Sequence, residues 1–257
     1  ESFCINKADF FSDVLMPSFY RAATNMDRSD QSYILSSTVF SKETNWRSIQ
    51  SNLEFKRTSY EMEGDDFTML SVYSTAGMKN EVLVFYRYTP LGRLEATLSF
   101  TPDYEPVRFG FRFRAPMTAN QISWYGLGPK ETYSDRKESA KWGFYSSRCE
   151  DMIHHYARPS ESGVRCCTRV LILEDQSGSK MKITRKDHRC FSFTVTPFSP
   201  EEVDDAMHSE DLIAQESFHV FIDFYQKDVE RTEKPPKTVH KSSFQPETFI
   251  FEPVWEG

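Results

Sequence analysis

Apolar and polar residues alternate along much of this chain with a period of two. In the stretch VRFGFRFRA, Val107, Phe109, Phe111 and Phe113 fall on one parity and Arg108, Gly110, Arg112 and Arg114 on the other. That is the pattern of a β-strand with one buried and one wet face. The same alternation runs through Leu94, Ala96, Leu98 and Phe100, through Phe191, Phe193 and Val195, and through Phe218, Val220, Ile222 and Phe224. Segments 68–75, 81–88, 168–173 and 179–184, bounded by Gly, Asn, Pro and Asp, are predicted as further strands. One helix is signalled clearly. Ser199-Pro200-Glu201-Glu202 places a hydroxyl at the N-cap, a proline at the first helical position and a carboxylate at the third, which predicts a helix over 200–207. Many strands spaced by turns, without regular helices between them, predict an all-β fold: an antiparallel sandwich or barrel with at most one or two short helices.

Two stretches break the alternation. Residues 20–34 are polar and aperiodic, and residues 226–243 are charged and carry a Pro-Pro pair, as expected of an excursion between two strands. With 257 residues, no internal repeat and no sharp shift in composition, a single domain over 1–257 is expected. The aromatic content of 15% suits pleated, half-buried surfaces.

A net charge of −7 argues against nucleic acid or an anionic membrane surface as the main partner. No apolar run approaches the roughly 20 residues of a membrane-spanning helix, and the first residues lack the apolar core of a signal peptide. Five cysteines, Cys4, Cys149, Cys166, Cys167 and Cys190, are too few for a disulfide framework. Free thiols in a reducing compartment such as the cytoplasm are the expectation. Cys166 and Cys167 are adjacent, without the spacer of a zinc site, and His154 and His155 point to opposite faces of an extended chain. Neither pair predicts a metal, and no cofactor is expected.

The segment WYGLGPKETYSDR, from Trp124 to Arg136, is the richest in chemistry. Sugars bind where aromatic faces meet carboxylate, guanidinium and amide groups, and Trp124, Tyr125, Glu131, Tyr133, Asp135 and Arg136 supply that mixture. Gly126 and Gly128 would permit positive φ and Pro129 would stiffen the exit. The competing reading is an ordered loop held by its own ion pairs, and spacing alone favours it. HHYARPSESGVRCCTR, with Arg158, Glu161 and Arg165 around Pro159 and Gly163, reads as a charged corner in the same way. The GxSxG elbow, P-loop, HExxH and dinucleotide fingerprints are all absent, which removes several enzyme classes.

In their order and spacing, WYGLGPKETYSDRKESA, DMIHHYARPSESGVRCCTR and the block from FSFTV through AMHSEDL to HVFIDFYQ resemble the small-chain domain of glycoside hydrolase family 2 β-galactosidases. The opening YRAATNMD looks like that family's Arg-Ala-Pro-x-Asp-Asn-Asp run. The resemblance implies a large galactose-mutarotase-like supersandwich. It also implies an accessory role beside a catalytic barrel or large subunit that holds both glutamates of the reaction, so no catalytic residue is expected here. Matching positions are Arg21 and Asp27 in the opening motif and Gly126, Gly128, Pro129, Glu131, Tyr133, Asp135 and Arg136 in the signature. Pro159, Glu161, Gly163, Arg165, His208 and Asp223 match further on. Within this set Glu131, Tyr133, Arg136, His208 and Asp223 are the candidate sugar contacts, galactosides being the implied ligand, and the others are structural. The chain departs from the family at Ala23, Met26 and Ser162, and QKDVERTEKPPKTVH has neither the glycines nor the tryptophan of the family's active-site loop. The alternatives are a free-standing carbohydrate-binding module and, on fold analogy alone, a sugar epimerase.

Overall fold

The alternation in the sequence reappears as burial. Phe109, Phe111 and Phe113 are buried, as are Phe191, Phe193 and Val195 and, further on, Phe218, Val220 and Ile222. The computed structural model describes residues 4–5, 8–29, 46–76, 78–103, 105–227, 229 and 244–254. In chain order its strands are β1 (Cys4–Ile5), β2 (Ala8–Asp9), β3 (Met16–Ser18), β4 (Leu53–Glu63), β5 (Asp66–Thr75), β6 (Val82–Tyr88), β7 (Leu94–Ser99), β8 (Arg108–Pro116), β9 (Gln121–Gly128), β10 (Lys141–Arg148), β11 (Arg165–Thr168), β12 (Val170–Glu174), β13 (Lys180–Arg185), β14 (Phe191–Thr196), β15 (Ser217–Gln226) and β16 (Glu247–Pro253). The helices are α1 (Asn25–Ser29), α2 (Trp46–Ser51) and α3 (Pro200–Asp205). The sequence predicts at most one or two short helices; the described residues carry three, of five or six residues each, and the all-β class stands.

Nine strands form the larger sheet, in the order β10-β9-β12-β13-β16-β7-β6-β5-β4, and five the smaller, β11-β14-β15-β8-β3. The pairings within both are antiparallel. Their inner faces meet through aromatic rings. Phe113 faces Phe251 at 6.3 Å, Phe191 meets Phe249 at 5.2 Å and Trp124 meets Phe193 at 5.9 Å, all edge to face. Each such ring buried stabilises the sandwich by roughly 1.5–3 kcal/mol. The capping box of α3 is present: Glu202 N–H donates to Ser199 Oγ at 3.2 Å, and Ser199 N–H to Glu202 Oε2 at 2.7 Å.

Arg108 was assigned to the wet face of β8, yet only 1% of it is exposed. It shares the outer face of the smaller sheet with Phe221 and Asp223, which are also buried. That face is wet only where nothing lies on it, and here segments 20–28, 129–136, 152–165 and α3 cover it. The result is a second, polar interior. The family's active-site loop position falls at 226–243 and Trp255 near the C-terminus; residues 228, 230–243 and 255 lie outside the described residues.

Candidate functional site

The outer layer on the smaller sheet is where the motifs converge. In the opening motif, Thr24 caps α1: Asp27 N–H donates to Thr24 Oγ1 at 3.0 Å, and Thr24 N–H to Asp27 Oδ2 at 2.8 Å. The same carboxylate accepts from Arg21 Nη1 at 2.8 Å. Burial alone would raise the Asp27 carboxyl, but the Arg21 guanidinium and the Thr24 N–H outweigh it and hold it below the usual carboxylate value. Thr-x-x-Asp is a capping-box pattern, so this local structure was readable from TNMD and was missed.

Asp204, on α3, ties that segment down. It accepts from Tyr20 Oη, from Ala23 N–H at 2.7 Å and from Arg28 Nη2 at 3.2 Å. Burial, reinforced by the Asp204 charge, pushes the Tyr20 phenol far above its usual value. Arg28 also reaches the Pro159 carbonyl and Ser160 Oγ, the latter at 3.3 Å, and Glu161 N–H donates to Ala23 O at 3.2 Å. Asp204 and Arg28 belong to no motif recognised in the sequence. Nothing local marks them, because their partners lie more than a hundred residues away.

The signature is built differently from the expectation. Residues 124–128 belong to β9, and Gly126 and Gly128 do not have positive φ. They are needed for close approach. A Cβ on Gly126 would lie 2.8 Å from Thr168 Cα and 2.9 Å from Cys167 O, and one on Gly128 would lie 2.7 Å from the Tyr145 ring. Trp124 points inward, with 2% of its surface exposed, so it offers no face to a ligand. The Gly128–Pro129 peptide is cis, and beyond it Tyr133 and Arg136 close a turn through reciprocal backbone bonds of 3.1 and 3.0 Å. Asp135 sits half-buried inside that turn. Glu131 joins the signature to the next loop: it accepts from Arg136 Nη2, from Tyr156 Oη at 3.1 Å and from Gly163 N–H at 2.9 Å. Gly163 has a φ of +83°, open to glycine and strained for other residues. Arg165 spans the same seam, donating to the carbonyls of Pro129 at 3.1 Å and Gly163 at 3.0 Å.

Beneath these loops lie the buried ions. Arg108 Nη2 is 3.1 Å from Glu161 Oε1, its Nε is 3.1 Å from Asp223 Oδ2, and its guanidinium carbon lies 4.2 Å from the centre of the Phe221 ring. Burial pushes the Asp223 carboxyl up to about 7, with Arg108 pulling it down and Glu161 adding to the rise. Burial raises Glu161 as well, against the pull of Arg108 and Arg21. Above them lies only a small recess, with a cavity volume of about 40 Å³, whose walls include Arg108, Glu161, Thr194, Tyr156, Leu212 and Phe221.

Of the five candidate sugar contacts, Glu131, Tyr133 and Arg136 are together, with the Arg136 guanidinium 5.0 Å over the Tyr133 ring. Tyr133 is 3% exposed and Asp223 fully buried, so neither presents a surface to solvent. His208 stands apart, exposed, at the start of the 3₁₀ turn Ser209–Asp211, its N–H bound to Asp211 Oδ2 at 2.8 Å. The carboxylates of Asp27, Glu131, Glu161 and Asp204 are each engaged by a guanidinium or by N–H donors, and Asp223 lies against the Arg108 guanidinium as an ion pair without a hydrogen bond. Glu161 and Asp223 converge on one cation instead of flanking an open cleft as a glycosidase pair does. Among the described residues no group of three or more His, Cys, Asp or Glu could hold a metal ion, and no helix is long and apolar enough to cross a membrane.

Residues 1–252 match the family described as the beta galactosidase small chain. A β-galactosidase of Vibrio cholerae is 30% identical over 176 residues, covering 66% of this chain and 16% of that protein. One from Priestia megaterium is 23% identical over 98% of this chain and 24% of its own length. The chain thus spans about a sixth to a quarter of the length of these curated relatives. A solved structure of the protein HI1317 covers 79% of the chain and 65% of its own length at 8% identity, with a TM-score of 0.36, too distant to inform the site. With the signature, the opening motif and the 152–165 loop all meeting on one face of a two-sheet β fold, and a match that runs over nearly its whole length, this chain belongs to the β-galactosidase small-chain family.

Proposed function

We propose that the chain is an accessory domain of a β-galactosidase-like glycoside hydrolase, supporting the cleavage of terminal β-galactosides by a catalytic barrel or large subunit outside these 257 residues. The observation that carries this reading is the match of residues 1–252 to the small-chain family, beside the similarity of much of the chain to β-galactosidases that are far longer. The chemistry of the covered face agrees. Glu131 and Glu161 hold guanidinium groups and a backbone N–H, which stiffens the loops at 129–136 and 152–165, and Glu161 and Asp223 are turned to one guanidinium, an arrangement suited to structure more than to acid–base work. The test is assay of the purified chain with a chromogenic galactoside, alone and after co-expression with the catalytic part. No turnover alone and turnover with the partner are expected. Hydrolysis by the isolated chain, surviving further purification, would overturn the proposal.

A second reading, a carbohydrate-binding module, has one observation in its favour. Tyr125, Phe144 and Trp142 form a run of rings on the outer face of β9 and β10, 4.6 and 5.7 Å apart, with Phe144 84% and Trp142 48% exposed. Aromatic faces of this kind stack on sugar rings. Calorimetric titration with galactose, lactose and longer galactosides decides it: heat that disappears in W142A/F144A supports the reading, and no heat removes it.

A further inference from the structure

In an extended strand Cys166 and Cys167 would point to opposite faces of the sheet. Here the register between β11 and β14 breaks between Arg165 and Thr168, and Cys167 has a φ of +56°, in the left-handed region that a residue with a Cβ seldom enters. Such departures gather where surrounding structure imposes them, often at functional positions. The consequence is that the two side chains turn toward one side of the chain instead of opposite faces, near enough for the charge on one sulfur to act on the other. Both are free thiols, Cys166 buried and Cys167 partly open to solvent.

The two are chemically unequal. The neighbouring Cys166 sulfur lowers Cys167 from the usual thiol value against the opposing effect of burial, with Lys137 helping, while Cys167 and burial push Cys166 up. Cys167, partly open to solvent and acidified by its neighbour, is the sulfur that meets an oxidant first, and the buried Cys166 is the one that follows. Burial pushes Cys149 up to about 12, which leaves it unreactive. The pair also sits on the signature. Cys166 N–H donates to Thr132 Oγ1 at 3.0 Å, and the Cys167 carbonyl occupies the space that a side chain at position 126 would need.

We propose that Cys166 and Cys167 form a redox site at which a hydroperoxide converts the pair to a vicinal disulfide. The Cys167 thiolate attacks the peroxide oxygen, the O–O bond breaks, and after protonation a sulfenic acid and water (or the alcohol of an organic hydroperoxide) result. Cys166 sulfur then attacks the Cys167 sulfenic sulfur; the S–O bond breaks, the Cys166 proton leaves with the hydroxide as water, and the S–S bond forms. Two thiols are oxidised and one peroxide is reduced. This site holds whatever part the chain takes in galactoside cleavage.

The test treats the reduced, folded chain with hydrogen peroxide, alkylates the remaining thiols and maps the glutamyl-endopeptidase peptide 162–174 by mass. Wild type is expected to lose two hydrogens on that peptide and to resist alkylation there until reduced. In C166S the sulfenic acid at Cys167 persists and is trapped by dimedone; in C167S oxidation of the peptide falls by at least about tenfold. Melting curves confirm that both variants are folded. Phenylarsine oxide, which needs two thiols within reach of one arsenic, binds reduced wild type and neither variant. Oxidation landing on Cys190 instead, a disulfide between Cys167 and any cysteine other than Cys166, equal reactivity of the two variants, or no arsenical binding would each overturn the proposal.

Discussion

Arg108 Nε lies 3.1 Å from Asp223 Oδ2 under the outer layer of the smaller sheet, with 1% and 0% of the two side chains exposed. Glu161 shares the same guanidinium. Removing the cation strands two carboxyls in a dry site, so Arg108→Met is expected to destabilise the fold by about 3–5 kcal/mol in urea unfolding. Asp223→Asn leaves the Arg108–Glu161 pair intact and is expected to cost less than half of that. A loss under about 1 kcal/mol in R108M would mean that the layer does not depend on its buried cation.

Two buried groups should give the stability opposite pH slopes. Asp223 is raised from 3.8 to about 7, so the folded chain holds an extra proton between these values. Its contribution is complete below about pH 4 and is lost as pH rises through 7. His219 is lowered from 6.5 to about 4, chiefly by burial and then by Arg114. Its contribution is present above pH 6.5 and is lost as pH falls through about 4. In wild type the two slopes oppose each other over their shared window. Relative to wild type, D223N should gain up to about 1.4 kcal/mol per pH unit as pH rises, and H219Q should lose a similar amount. Urea midpoints taken across that window read both slopes, and curves parallel to wild type for either variant would contradict its assignment.

The cap of α1 separates a local effect from a tertiary one. Thr24→Ala removes the hydroxyl that accepts from Asp27 N–H and should cost about 1 kcal/mol. Asp27→Ala removes the reciprocal acceptor and also the carboxylate 2.8 Å from Arg21, so a loss of about 2–4 kcal/mol is expected. Thermal denaturation of the two variants side by side checks the order. Equal losses would show that the Arg21–Asp27 contact contributes nothing beyond the cap.

The strands with one wet face were legible because alternation is their signature; β7, β8, β14 and β15 lie within a residue or two of the predicted segments. β4 and β10 were not. They are the two edges of the larger sheet; β4 is exposed along almost its whole length, and β10 carries rings on both faces, Tyr145 inward and Trp142 and Phe144 outward, which erases the period-two pattern in each. β16 failed for the opposite reason: it is central, and Phe249, Ile250 and Phe251 are all buried, so the strand reads as a short apolar run. At the site, the residues of the motifs were legible but their reasons were not. Gly126 looked like a turn glycine and is a contact glycine, because what it must avoid, Thr168 and Cys167, is forty residues away. Arg108 looked like a surface arginine for the same kind of reason, since its cover comes from Glu161 and Phe221.

Arg165 tests whether the seam between the signature and the 152–165 loop is held by charge or by shape. Only 4% exposed, it donates to the carbonyls of Pro129 at 3.1 Å, Gly163 at 3.0 Å, Val164 at 3.3 Å and Met152 at 3.5 Å, and its guanidinium carbon stands 5.5 Å from the centre of the Trp124 ring. Burial drags it down to about 10, while Glu131 and then Tyr133 pull the other way. A planar fork can satisfy carbonyls on three separate stretches of chain at once; a lysine ammonium on a flexible stem cannot. Arg165→Lys is therefore expected to lose about 2–3 kcal/mol, most of it from carbonyls left without a donor. Arg165→Met should fall within about 1 kcal/mol of the lysine variant, since both lack the fork. Urea unfolding of the three proteins reads the comparison. Full rescue by lysine would show that the site uses the positive charge facing Glu131, and that the bridge between Pro129 and Gly163 is incidental.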